Sequence, residues 1–114
     1  MAATPEERNL ELFDQADFEG WNGPDWAILR EMHTDDVHVE WNGKVTDGYA
    51  AHEAVLRSVT EQYPGLKVTA HPIKVADGEW TATVGELTGG GKMMTLARWR
   101  DGAISEEYLW IPGV

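Results

Sequence analysis

From Leu66 to Ile111 the chain consists of four β-rich runs in succession, "LKVTAHPIKV", "GEWTATVGELTG", "KMMTLARWR" and "AISEEYLWI", separated only by "ADG", "GGG" and "DG". Connections this short join neighbouring antiparallel strands and leave no room for crossover helices. What precedes them is mostly helical. Thr4, Pro5 and Glu7 supply a capping hydroxyl, a proline at the first helical position and a glutamate three residues after the cap. Leu10, Phe13 and Asp17 recur at i, i+3 and i+7, so one carboxylate falls on the inward stripe of this first helix. "EGWNGPDW" interrupts the pattern, and a second helix over about Asp25 to His33 carries Trp26, Leu29 and His33 on one stripe. "VHVEWNG" alternates like a strand and closes on an Asn-Gly turn signal. The longest helix, "YAAHEAVLRSVTEQY", lines up Tyr49, His52, Leu56, Val59 and Tyr63 until Pro64 and Gly65 stop it. This order predicts an α+β fold with helices on one face of a mainly antiparallel sheet, residues 1–114 forming a single domain.

Strand parity then sorts the candidate residues. In the last run Ser105, Glu107, Leu109 and Ile111 share one face, and Ile104, Glu106, Tyr108 and Trp110 the other. "KMMTLARWR" sets Met93, Thr95, Ala97 and Trp99 against Met94, Leu96, Arg98 and Arg100. Both faces are rich in apolar side chains, and one set of helices covers only one of them. The second face is therefore expected to meet another copy, giving a homodimer through the sheet. Six tryptophans in 114 residues must fill a core, an association surface or a pocket lining.

A net charge of -11 argues against nucleic acid and anionic membranes as partners. Without cysteine there is no disulfide framework or thiolate site, and "MAATPEERNLELF" lacks the basic start and apolar stretch of a signal peptide. A cytoplasmic protein without a membrane span is the expectation. The four histidines show no HExxH or other close pairing, so no metal site is predicted. "GGGK" is a bare hairpin turn, and no cofactor motif is present.

"DW" at Asp25 and Trp26, "HTDDVHVEW" at His33 to Trp41, "TDGYAAH" at Thr46 to His52, "HPIKVADGEWTATVGELTG" at His71 to Gly89 and "WRDGAISEEYLW" at Trp99 to Trp110, taken in order, resemble the SnoaL-like branch of the NTF2-like superfamily. The resemblance implies a cone-shaped α+β barrel, with three N-terminal helices packed on a curved sheet around an apolar pocket. It further implies a small, largely apolar cyclic or polyketide-like ligand and cofactor-free cyclisation, isomerisation or dehydration. Its relatives include polyketide cyclases, ketosteroid isomerases, epoxide hydrolases and dehydratases, so the fold leaves the chemistry open. Several family features are missing. Ile111, Pro112 and Gly113 stand where an aspartate and a short helix often follow the last strand. Trp41 stands where isomerase-type members carry their base, which argues against ketosteroid isomerase activity.

By the register of that resemblance, Glu107 takes the place of a pocket-facing histidine, and Glu106 faces outward. A lone glutamate in an apolar cavity has a raised pKa and is a candidate acid or base; the alternative is a structural pair with Arg98, Arg100 or a tyrosine. Glu86, on a face with Trp80, Ala82 and Val84, is a candidate second carboxylate, although a register shift of one residue would turn it outward. His52 and Asp17 are candidate partners, and Thr95 or a tyrosine hydroxyl a candidate support for an oxyanion. His33 and His71 read as capping or surface residues, and His38 as facing the sheet's other side with Glu40. Trp26, Trp41, Met93, Thr95, Trp99 and Leu109 are the expected substrate-binding lining, with a packed interior as the alternative.

Overall fold

The computed structural model describes residues 3–114; Met1 and Ala2, the start of the stretch read above for a signal peptide, lie outside the described residues. Helix α1 (Pro5–Gln15) begins where its cap signal falls: the Thr4 hydroxyl accepts from the Glu7 amide at 3.1 Å and donates to the Glu7 carboxylate. It runs into a π-helical turn, Ala16–Trp21, in which the Asn22 amide donates to the Asp17 carbonyl five residues back. Such wide turns are frequent at functional sites. Helix α2 (Trp26–Glu31) is shorter than expected and is capped by Asp25, whose carboxylate accepts from the Ala27 and Ile28 amides.

Strand β1 (His33–Trp41) starts earlier than the sequence suggests. It turns at Asn42-Gly43 into β2 (Lys44–Asp47), a short edge strand that the sequence pattern did not reveal. After α3 (Tyr49–Gln62) come β3 (Val68–Asp77), β4 (Trp80–Leu87), β5 (Lys92–Arg100) and β6 (Ala103–Trp110), close to the four predicted runs.

The strands form one six-stranded curved sheet in the order β2-β1-β6-β5-β4-β3, antiparallel except for the β1–β6 pair. The expected barrel does not close. Strands β2 and β3 are free edges at opposite ends of the sheet, and the helices rather than a β2–β3 ladder cover its inner face. That face supplies Val37, Val39, Ala97 and Ile104, all essentially inaccessible, to the core.

One irregularity sets which side chains point inward on β6. Arg98 pairs with Glu106 but Trp99 pairs with Ile104, so Ser105 is an extra residue in the ladder. This bulge lets Ile104 and Glu107 both face the core, which strict alternation forbids. The outer face carries an uncovered apolar row in which Ile73 pairs with Val84, Val84 with Met94 and Met94 with Trp110. Ile73, Met94 and Trp110 are each about half exposed.

The π turn is clamped to β3 by Asn22, whose side-chain amide donates to the Val68 carbonyl at 2.7 Å while its oxygen accepts from the Val68 amide at 2.8 Å. Trp21 adds an indole N–H bond to the Leu66 carbonyl. Replacing Asn22 with Ala removes two bonds and strands a buried peptide. The expected loss is about 2–3 kcal/mol in chemical denaturation, with the slope unchanged.

Candidate functional site

An apolar cavity of about 40 Å³ lies between the inner sheet face and the helices. That is room for about two or three water molecules. Its polar wall consists of four side chains: Asp17 from the π turn, His33 from the start of β1, His52 from α3 and Glu107 from β6. Trp41, Met93 and Leu109 line it as expected, joined by Trp21 and Leu56.

Glu107 is 4% exposed and has no arginine partner. Arg98 binds Glu79 and Glu106, and Arg100 binds Asp36, so the structural pairing considered from sequence does not form. Two histidines stand beside Glu107 instead, with His33 Nε2 at 3.6 Å and His52 Nε2 at 3.4 Å from Oε1. The raised pKa expected of a lone buried glutamate is therefore corrected. Burial pushes the carboxyl up, but the two imidazoles outweigh it and hold Glu107 at about 2. The His33 imidazole is pushed down by burial and more than restored by Glu107, so its pKa is raised overall. Its Nδ1 lies 2.6 Å from the Leu29 carbonyl, an extension of the α2 hydrogen-bonding pattern by one residue.

Asp17 belongs to a second cluster. Its Oδ2 accepts from His71 Nε2 at 2.7 Å, and His71 Nδ1 meets Asp14 Oδ1 at 2.7 Å. Lys74 closes the chain on Asp14 at 2.9 Å. His71 reaches this position from β3, where register shifts on either side of Ala70 interrupt regular pairing. Phe13 and Phe18 pack against its ring. Burial raises the Asp17 pKa in spite of His71, while the His71 imidazole is pushed down by burial and more than restored by its two carboxylates, so that its pKa is raised overall. Asp14, burial notwithstanding, is lowered by His71 and Lys74. Asp17 thus presents a carboxyl to the cavity with its histidine behind the wall.

Other expectations need correction. Glu86 faces out, because Thr81, Thr83, Gly85 and Leu87 take the inner face of β4; the one-residue ambiguity resolves against it. Thr95 is buried beside Thr83 but off the cavity wall. Trp99 sits elsewhere in the core, its indole N–H on the Thr81 hydroxyl. Trp26 lies under the Arg57 guanidinium, 4.2 Å from the ring, in a surface groove. His38 is on the outer face as expected, bonded to Glu40 and Asp47. His33 and His71 are the functional candidates that sequence reasoning passed over. His33 already lay on the α2 stripe, and the Asp14/Asp17 spacing on helix one was the signal for a partner to His71. No sequence motif announces a metal site, yet the donor atoms of His33, His52 and Glu107 lie within 4.8 Å of one another.

The SnoaL-like domain profile matches residues 15–107, which include Asp17, His33, His52, His71 and Glu107. The chain belongs to the SnoaL-like family. A proposed SnoaL-like polyketide cyclase from Jannaschia sp. CCS1 is 20% identical, with 98% of this chain and 91% of that one covered and a TM-score of 0.85. IdmH, a proposed polyketide cyclase from Streptomyces antibioticus, is 18% identical over 91% of each chain at a TM-score of 0.81. A proposed ketosteroid isomerase from Kribbella flavida DSM 17836 is 25% identical, with 99% and 84% covered and a TM-score of 0.74. No curated protein matches the chain. No helix among the described residues of this SnoaL-like chain is long and apolar enough to cross a membrane.

The two carboxylates flanking His71 set the sign of a pH effect. A histidine whose folded-state pKa exceeds its unfolded value stabilises the fold fully below the unfolded value of about 6.5, and that contribution fades as pH rises through the folded-state value. The stability lost on replacing His71 with Gln is therefore expected to be larger at pH 6 than at pH 9, measured by denaturation at each pH.

Proposed function

We propose that this SnoaL-like chain, acting as one domain, takes a small, largely apolar cyclic or polyketide-like molecule into its cavity and transfers a proton, with Asp17 as the base. The observation that carries the reading is the placement of Asp17: a largely buried carboxylate on an apolar wall, steadied from behind by His71 and Asp14. A carboxylate so held is pre-aimed, and burial strengthens it as a base. The family and its polyketide cyclase and ketosteroid isomerase neighbours support proton-transfer chemistry of this kind. Glu107, His33 and His52 supply the polar remainder of the wall.

Entry requires movement, because the cavity as it stands holds only waters. The Trp41 indole is a wall common to this cavity and to a groove of about 650 Å³ bounded by α3 and residues Gly113 and Val114. Displacing the indole, which is held by one bond to the Val114 carbonyl, would join the two spaces. The small volume also favours a second reading, a non-catalytic binding or dimerisation module whose interior is packed.

The test is hydrogen–deuterium exchange beside the carbonyl of small cyclic ketones in D₂O, followed by NMR. Wild type is expected to accelerate exchange in a member of such a panel, and Asp17→Asn to lose about 10²-fold or more while remaining folded. Equal rates in the two proteins would remove Asp17 from the chemistry. No exchange or binding across the panel would favour the packed module.

The Ile73, Val84, Met94 and Trp110 row supports a homodimer through the outer sheet face in either reading. Met94→Lys or Trp110→Glu is expected to shift the protein from dimer to monomer in light scattering, leaving helix and strand content unchanged. The charge of -11 and the absence of cysteine fit a cytoplasmic protein that does not act on nucleic acid.

A further inference from the structure

We propose that His33, His52 and Glu107 form a three-ligand seat for one divalent transition-metal ion of the zinc type, its remaining position opening into the cavity. The proposal goes beyond the proton-transfer reading and does not depend on it, since Asp17 is not one of the ligands.

The first argument is a contrast within the molecule. Where this fold uses histidine and carboxylate as a direct pair, the contact is short: both His71 nitrogens lie 2.7 Å from their oxygens, as does His38 Nδ1 from Asp47. Charge-assisted bonds of this kind fall at about 2.7–2.9 Å. Around Glu107 the same groups stand off at 3.4 and 3.6 Å, although all three are buried. Ligands at about 2.0–2.2 Å from a tetrahedral ion lie roughly 3.4 Å from each other. These two separations fit donors arranged around a common centre better than donors bonded to one another, and all three donor atoms lie within 4.8 Å of one another.

The second argument is the state of His33. Its Nδ1 donates to the Leu29 carbonyl, which leaves Nε2, buried and without a hydrogen-bond partner, directed toward Glu107. A ring N–H tied to a backbone carbonyl is the usual support of a metal-ligating histidine, because it fixes the ring and the free nitrogen together. His52 has no such tie on Nδ1 and is oriented by its neighbours His33 and Tyr49. Two imidazoles and one carboxylate suit a zinc-type ion, and three protein ligands with space beside them describe a site that keeps a position for water or substrate. The adjoining cavity has room for that ligand.

The test starts from folded wild-type protein stripped with a chelator and titrated with Zn²⁺, and separately with Co²⁺, whose visible spectrum reports its coordination. One ion per chain is expected, with a Co²⁺ spectrum of low coordination number. His52→Ala and Glu107→Gln should each weaken binding by about tenfold or more. His38→Ala should bind as wild type does, because the exposed His38, Glu40 and Asp47 group is the competing surface site. Should the buried-site variants fail to fold, histidine side-chain NMR of wild type decides. Zn²⁺ is expected to shift the His33 and His52 Nε2 signals and leave those of His38 and His71 in place. No binding by the folded wild type, binding abolished by His38→Ala, or unmoved His33 and His52 signals would each overturn the site. None of these results bears on ketone exchange in the Asp17→Asn comparison, so the two proposals fail separately.

Discussion

Two carboxylates lie inside an apolar interior, and the arrangement around the cavity follows from how they are accommodated. A buried carboxylate without a partner is too costly to keep ionised, so each must find compensation that the chain can deliver to that spot. Glu107 finds it in His33 and His52, brought from the start of β1 and the first turn of α3. Asp17 finds it in His71, brought across from β3 by a strand whose pairing breaks beside it. The histidines are thus structural necessities before they are anything else. They also leave the polar groups of the site concentrated on one small apolar space, the condition under which protonation and ligand binding become sensitive to detail.

The two clusters solve the same problem differently. The Asp14, His71, Asp17 and Lys74 chain is short-bonded and reaches the surface, so it is both anchored and open to exchange with solvent. The group around Glu107 is looser and fully enclosed. An interior that keeps one tight and one loose polar cluster has its rigidity on the α1–β3 side and its unfilled bonding capacity on the β6 side.

Much of the fold was legible, because hydrophobic period and turn chemistry are local signals. The Thr4 cap, the Asn42-Gly43 turn, the α3 stripe and the four closing strands follow from residues within a few positions of each other. What escaped is non-local. Glu86 turned on the parity of β4, which is set by its partners rather than by its own alternation. His33 and His71 look like end or surface residues until the chain folds, because their partners are 74 and 54 residues away, at Glu107 and Asp17. Edge strand β2 is too short and too exposed to carry a period. Open sheet edges in place of a closed cone are likewise a property of the whole ladder, invisible to any window of sequence.

Ser105 has a wider bearing than its own position. As the surplus residue of β6, it works like a reading frame for the side chains that follow: because it is bulged out of the ladder rather than paired, Ile104 before it and Glu107, Leu109 and Ile111 after it all face inward. Were Ser105 paired as an ordinary ladder residue after Ile104, strict alternation would offer Glu106, Tyr108 and Trp110 to the interior in place of Glu107, Leu109 and Ile111. The chemical lining of this scaffold is thus decided by how the ladder accommodates one position, with every strand paired either way.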